Sequence, residues 1–274
     1  MIKIENVVLP SPQQWMAVVR GMRNPMNSWD KSDSYITKVV ETETANSAYH
    51  EFFMGEEDHK LAMKLAKAGK DHRKFMRMIP VFVDIVAPLY WWKEFDTYKV
   101  GTVANSCSTM HTVHKKEFTR DDFSCEKLEI PYGVWPQGLA CMDDTISTLN
   151  HYRDKYNNTK DQAYWDNIIQ LLPSSYNQRR TVTLNYEVLS NMYHARKNHK
   201  LQEWRHFCCW IESELPYSEL ITCDSKPKIL YECDGYACDE KCPNLECHYT
   251  EDVTHARNFY TEGEFYVEDL EYDL

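Results

Sequence analysis

The sequence predicts an α+β domain followed by a small Cys-rich, acidic C-terminal segment. Three observations carry this. Ile2 to Leu9 alternates loosely with the two-residue period of a short strand. Several stretches with helical apolar spacing follow, the clearest from Asn185 to Glu214. Beyond Thr222 the composition changes: Cys and acidic residues rise, aliphatics fall, and Pro, Gly and Asp enter. A boundary there divides a domain of residues 1–222 from a segment of residues 223–274.

Taken in chain order, Gln14 to Arg23 reads as a helix stopped by Asn24-Pro25. Ser47 to Ala68 reads as helical, with Gly55 as a weak point and Gly69 as its C-cap. Arg73 to Trp92 is strongly apolar, and Pro80 and Pro88 break or kink any helix there. Glu94 to His114 contains Val-Gly-Thr-Val and Asn-Ser-Cys-Ser runs that suit a loop or short strand. Leu139 to Tyr156 and Lys160 to Leu172 read as two more helices parted by Asn157-Asn158, with a break at Pro173-Ser174-Ser175. No internal repeat, dinucleotide fingerprint or Lys-Ser/Thr phosphate loop occurs.

Composition bounds the partners. Hydrophobic residues make up 43% of the 274 and aromatics 13%, enough for a sizeable core and unlike a disordered chain. The formal net charge of −11 argues against coating duplex nucleic acid, which needs surplus Lys and Arg. One mononucleotide in a local basic pocket remains compatible with it. From Glu251 to Leu274 eight acids face one base, Arg257, which reads as a solvated tail. No apolar run approaches the ~20 residues of a membrane span. Met1 to Pro10 lacks the basic start and apolar core of a signal peptide. The expectation is a cytoplasmic protein without membrane association, its ten cysteines held as thiols, some on metal.

The stretch from Asn185 carries the sharpest signal. On one helix at about 100° per residue, Arg196 falls about 20° from Asn185, His199 about 40° to the other side and Glu203 near zero. Leu189 and Met192 share that stripe. Polar groups beside Leu and Met need partners, and an Arg and a His there suit an anionic or planar ligand. An ordinary exposed helix of mixed charge is the alternative, because Glu187, Asn191, His194 and Asn198 make the opposite face polar too.

Thr183-Leu184-Asn185-Tyr186-Glu187, Arg196, and His199-Lys200-Leu201-Gln202-Glu203-Trp204-Arg205 resemble the C-terminal helix of flavin-dependent thymidylate synthases. Glu187 departs from the pattern by standing where that family carries an Arg. A second, diverged motif runs from Glu94 to His111. Lys99 and Thr102 keep residue type, and Asn105 and Ser108 match directly. Thr97, Tyr98, Ser106 and Met110 replace the family's first Arg, His, Glu and last Arg. Ile79 to Trp92 resembles the core strand and helix before that motif, so the likeness covers roughly residues 10–215.

The resemblance implies helices packed on a mixed sheet and flavin-dependent methylation of a pyrimidine deoxynucleotide, dUMP to dTMP in type. FAD, NADPH and reduced folate would serve as cofactors, and a homotetramer would place its sites between subunits. It implies Arg196, Thr102 and Ser108 as catalytic residues. Asn185, His199, Lys99, Tyr98, Glu94 and Asn105 would bind cofactor. Arg179, Arg180 and Lys115-Lys116 are candidates to replace the lost phosphate-binding arginines. The alternative is a catalytically degenerate homologue that binds a nucleotide or a partner. Cys107 reads as a small buried residue rather than a nucleophile, and Cys208-Cys209 as core.

In the tail, Cys233, Cys238, Cys242 and Cys247 lie close together, followed by His248 and His255. Thiolates so clustered suit tetrahedral zinc, although the spacing is looser than paired C-x2-C motifs. Free or loosely packed thiols are the alternative. The segment is similar to Cys-rich tails on assorted phage and Gram-positive bacterial proteins.

Overall fold

The structure is a computed structural model, and it describes residues 2–40, 48–129 and 137–223. Strand β1 (Lys3–Val8) leads into helix α1 (Pro12–Arg23). The helix starts at Ser11, whose Oγ accepts from Gln14 N at 3.3 Å while Gln14 Oε1 accepts from Ser11 N at 2.8 Å. It ends at the expected Asn24-Pro25.

A hairpin of β2 (Tyr35–Val40) and β3 (Ala48–Phe53) follows, where the expected helix from Ser47 was to begin. Aromatics decide this. Tyr35 and Phe53 stack across the strands at 5.5 Å, and Phe52 stacks on Trp15 of α1 at 5.6 Å. Helix α2 (Glu56–Lys67) starts only after Gly55 and ends before Gly69, which adopts φ +98° as a C-cap glycine should. Asp58, fully buried in its first turn, pairs with Arg23 of α1. It also accepts from the hydroxyls of Ser32 and Ser34 at 2.7 Å and from Ser34 N at 3.0 Å. This carboxylate ties the hairpin to both helices.

The main sheet is built on β4 (Pro80–Pro88), whose two prolines stand at its ends, where they cost least. Its order is β1-β4-β6-β5, with β5 (Val103–Ser106) and β6 (Asn177–Asn185). Every pairing in it is antiparallel, a correction to the mixed sheet expected. One face buries Val81, Val83, Ile85, Ala87, Val182 and Leu184. Helix α3 (Leu89–Phe95) buries Trp91, Trp92 and Phe95 directly after β4. On the other face Val8, Phe82, Thr183 and Val103 lie in one register row, and its three hydrophobic members are 57%, 45% and 71% exposed.

Short α4 (Thr109–Thr112) leads toward a second, smaller core. There α5 (Gln137–Thr159) and α6 (Gln162–Leu171) enclose Phe118, Phe123, Leu149 and Ile168. The break between them is at Lys160, φ +59°, rather than at Asn157-Asn158.

The expected long helix from Asn185 to Glu214 is two helices, α7 (Tyr186–Arg196) and α8 (Gln202–Glu214), followed by α9 (Glu219–Thr222). The break turns α8 so that Trp204, Phe207 and Ile211 reach the core. Asn185 is therefore the N-cap of α7, and the single-helix stripe joining it to His199 and Glu203 does not exist. Among the described residues no helix is long and apolar enough to cross a membrane.

Candidate functional site

Helix α3 projects Tyr90 and Glu94, four residues apart and so on one face, toward the end of α7 and the start of α8. One oxygen of Glu94, Oε2, gathers three donors. Arg196 Nη1 lies at 2.7 Å, Trp204 Nε1 at 3.0 Å and His199 Nε2 at 3.3 Å. Arg196 Nε also donates to the Tyr98 hydroxyl at 2.9 Å. The guanidinium sits 4.9 Å from the Trp204 ring and 5.6 Å from the Tyr98 ring, in cation–π range of both. Its side chain is 19% exposed.

The His199 ring has both nitrogens engaged. Nδ1 accepts from Leu201 N at 3.1 Å, which leaves Nε2 as the nitrogen that carries the proton and faces Glu94 at 3.3 Å. Beside this cluster, the Tyr90 hydroxyl donates to buried Glu203. Burial, foremost, and that carboxylate push the phenol's pKa far above its ordinary value.

The segment after α3 runs back along α7. Tyr98 meets Arg196 at the helix's end, and Gly101 O accepts from Asn185 Nδ2 at 3.4 Å at its start, about 16 Å away along the axis. Gly101 takes φ +84°, and a Cβ there would come within 2.8 Å of that amide nitrogen. Asn185 Oδ1 accepts from Val188 N at 3.0 Å, the ordinary N-cap bond. The Thr102 hydroxyl donates to Tyr98 O.

Of the residues the sequence nominated, Glu94, Tyr98, Arg196 and His199 thus converge on one point. Thr102 bonds to the Tyr98 backbone beside it, Asn185 lies at the far end of α7 and reaches it only through Gly101 of the 98–102 segment, and Lys99 lies exposed within that segment. Asn105 and Ser108 do not join them. Asn105 is exposed in β5 opposite Thr181, and Ser108 caps α4, its Oγ accepting from His111 N at 3.1 Å. Cys107 is exposed, not buried as expected, while Cys208 is buried and Cys209 half-buried on α8. Cys233, Cys238, Cys242 and Cys247 lie outside the described residues. Among those described, no cluster of three His, Cys, Asp or Glu suits a metal ion.

Sequence reasoning missed Trp204 as a floor of the site and the Glu94–Arg196 pair itself. A contact between residues so far apart leaves no local trace. Glu187, which stands where the family carries an Arg, is buried between Arg77, which it pairs with, and Arg73 at 3.8 Å. The cations proposed to compensate are largely engaged: Arg180 with Asp96 at 2.7 Å, Arg179 with Glu5 and Asp84, and Lys116 with Asp122 at 3.1 Å.

No family model matches the sequence, and no curated protein matches it. Solved structures do. The chain is similar to thymidylate synthase X from Helicobacter pylori in a crystal structure with FAD and dUMP, at TM-score 0.53 and 14% identity over 80% of this chain and 94% of that one. A second structure of the flavin-dependent enzyme from that organism, complexed with FAD and dUMP, gives 0.51 and 14% over 80% and 95%. The chain has the fold of the flavin-dependent thymidylate synthases.

Proposed function

We propose that the chain binds a pyrimidine nucleotide at the Arg196 cluster and carries out flavin-dependent methylation of it. The observation that supports this reading best is the state of Arg196. Two rings and Glu94 fix its plane, while its Nη2 has no partner among the described residues. A planar cation held this way presents donors to a ligand oxygen at little entropic cost. Such a reaction would take a methylene group from reduced folate to C5 of dUMP, with a flavin reduced by NADPH as the source that would supply the hydride. The chain's own part is to hold and orient the base.

Assembly as a homotetramer and a cytoplasmic location belong to the same reading. The exposed row Val8, Phe82 and Val103 supports assembly, since one register row of apolar side chains on an open sheet face gains by being covered.

The residues fit a pyrimidine better than they fit FAD. His199 has both ring nitrogens engaged, and Asn185 spends its amide on Val188 N and Gly101 O. Arg179 and Arg180 already have carboxylates, which lowers the local charge available to a pyrophosphate. These observations favour a second reading, a homologue that binds a nucleotide without the chemistry. An absorption spectrum of freshly purified protein separates the two. Bound flavin with saturable dUMP binding supports the first; dUMP binding without flavin supports the second. Absence of both would reject the site.

A further inference from the structure

A separate cationic face lies on α5, sharing no residue with the Arg196 cluster. Asn150, Arg153 and Asn157 are spaced three and four apart and so line one side of the helix. The segment 114–118 crosses that side. Asn150 Oδ1 accepts from Phe118 N and its Nδ2 donates to Phe118 O, each at 2.9 Å, and Asn157 Nδ2 donates to His114 O at 3.0 Å. Arg153 stands between these two fixed points.

Its electrostatics are unusual for this chain. Arg23, Arg77, Arg179, Arg180 and Arg196 each hold a carboxylate from a distant part of the sequence. Arg153 is only 17% exposed, yet among the described residues its one carboxylate is its neighbour Asp154, at 3.3 Å and itself 63% exposed. Among the described residues its buried Nε has no acceptor, and the buried His114 Nδ1 has no partner. A largely buried guanidinium with so weak a counter-charge is costly.

Further cations lie near Tyr156 and His114 on the same side of α5. Lys160 lies 5.5 Å from the Tyr156 ring centre, and the His114 ring meets the same ring at 4.9 Å. Burial, then the charges of Lys160 and Lys115, hold the His114 pKa below its ordinary value, so both lysines are near enough to act on it. Glu117 is exposed and makes no ion pair with Arg153, and Lys116 is held by Asp122. Exposed lysines alone would be a solvated face. A largely buried, poorly compensated arginine on the same helix is what distinguishes this one.

We infer that this face of α5 is an anion site for a phosphoryl group, with Arg153 as its main contact and Lys115 and Lys160 at its rim. A phosphoryl group drawn against the exposed part of the Arg153 side chain supplies the counter-charge that the guanidinium lacks.

Calorimetric titration of inorganic phosphate into the full chain tests this. Parallel titration with deoxyribose 5-phosphate shows whether a free or a sugar-borne group is preferred, and tighter binding of either supports the site. Arg153→Gln removes the charge and keeps most of the stem; Lys160→Gln is an exposed second variant that leaves the core alone. The expected result is saturable binding, weakened about tenfold or more in each variant, the loss of a charge-assisted contact, and unchanged in Lys67→Gln, an exposed lysine of α2. No saturable binding in the wild type would overturn the proposal. So would equal binding in Arg153→Gln and Lys160→Gln, or loss in Arg196→Gln alone, which would assign the anion to the other cluster.

Discussion

At the scale of single residues, Arg196 shows how much a partner changes an expectation. From the sequence it is a charge on an apolar stripe, best satisfied by an incoming ligand, and its removal would cost little. In the structure its partner is Glu94, with Tyr98 and Trp204 against the guanidinium. Arg196→Ala therefore leaves a half-buried carboxylate without its strongest donor. We expect a loss of about 1.5–3 kcal/mol, the range for a hydrogen bond to a charged group, measured by urea denaturation. Arg196→Lys should recover part of it, since an ammonium keeps the charge but loses the second contact to Tyr98. The identity of four clustered residues was legible, because the motif resemblance nominated Glu94, Tyr98, Arg196 and His199. Their mutual bonding was not, because no local pattern records which distant groups a turn will bring together.

At the scale of elements, local chemistry was readable where it was self-contained. The Asn24-Pro25 stop, the Gly69 cap and the helix pair before Pro173 all follow from the chain's own residues. The failures are tertiary. Tyr49, Phe52 and Phe53 have the apolar count of a helix face but become β3 because Tyr35 and Trp15 await them. β6 is hidden because Arg179, Arg180 and Thr181 interrupt its apolar residues, each taken up by an acid across the sheet or beyond it. Asn185→Ala tests the reassigned helix start. Loss of the cap should cost about 1 kcal/mol, and heat denaturation should register it, whereas a mid-helix Asn would gain from Ala. Asp58 makes the hairpin's attachment pH-dependent. Burial raises its pKa, but bonds from Ser34, Ser32 and Arg23 together outweigh it and hold the carboxyl below its ordinary value. A depressed folded pKa means stability that is complete above the unfolded value of about 4 and lost as pH falls through the folded one. Hydrogen exchange in β2 and β3 should accelerate below about pH 4 in wild type. Asp58→Asn should show fast exchange at neutral pH already, since removing a buried ion's partner costs about 3–5 kcal/mol; pH-independent protection would contradict this role.

At the scale of the molecule, the α+β class and the strand–helix unit from Ile79 to Trp92 were legible, and the likeness to solved structures bears out the fold. The antiparallel character of the sheet was not, since pairing direction depends on how the chain returns and not on strand composition. The fold alone does not fix the chemistry; the site must carry that claim. Its central element is a nucleotide held by Arg196, and calorimetric titration of dUMP and dCMP into wild type, Arg196→Lys and Arg196→Ala tests it most directly. The variants are compared under conditions where each is shown to be folded. The account predicts saturable binding of at least one nucleotide by wild type, weakened binding by Arg196→Lys and none by Arg196→Ala. Equal affinity in wild type and folded Arg196→Ala, or no binding of either nucleotide by wild type, would contradict it.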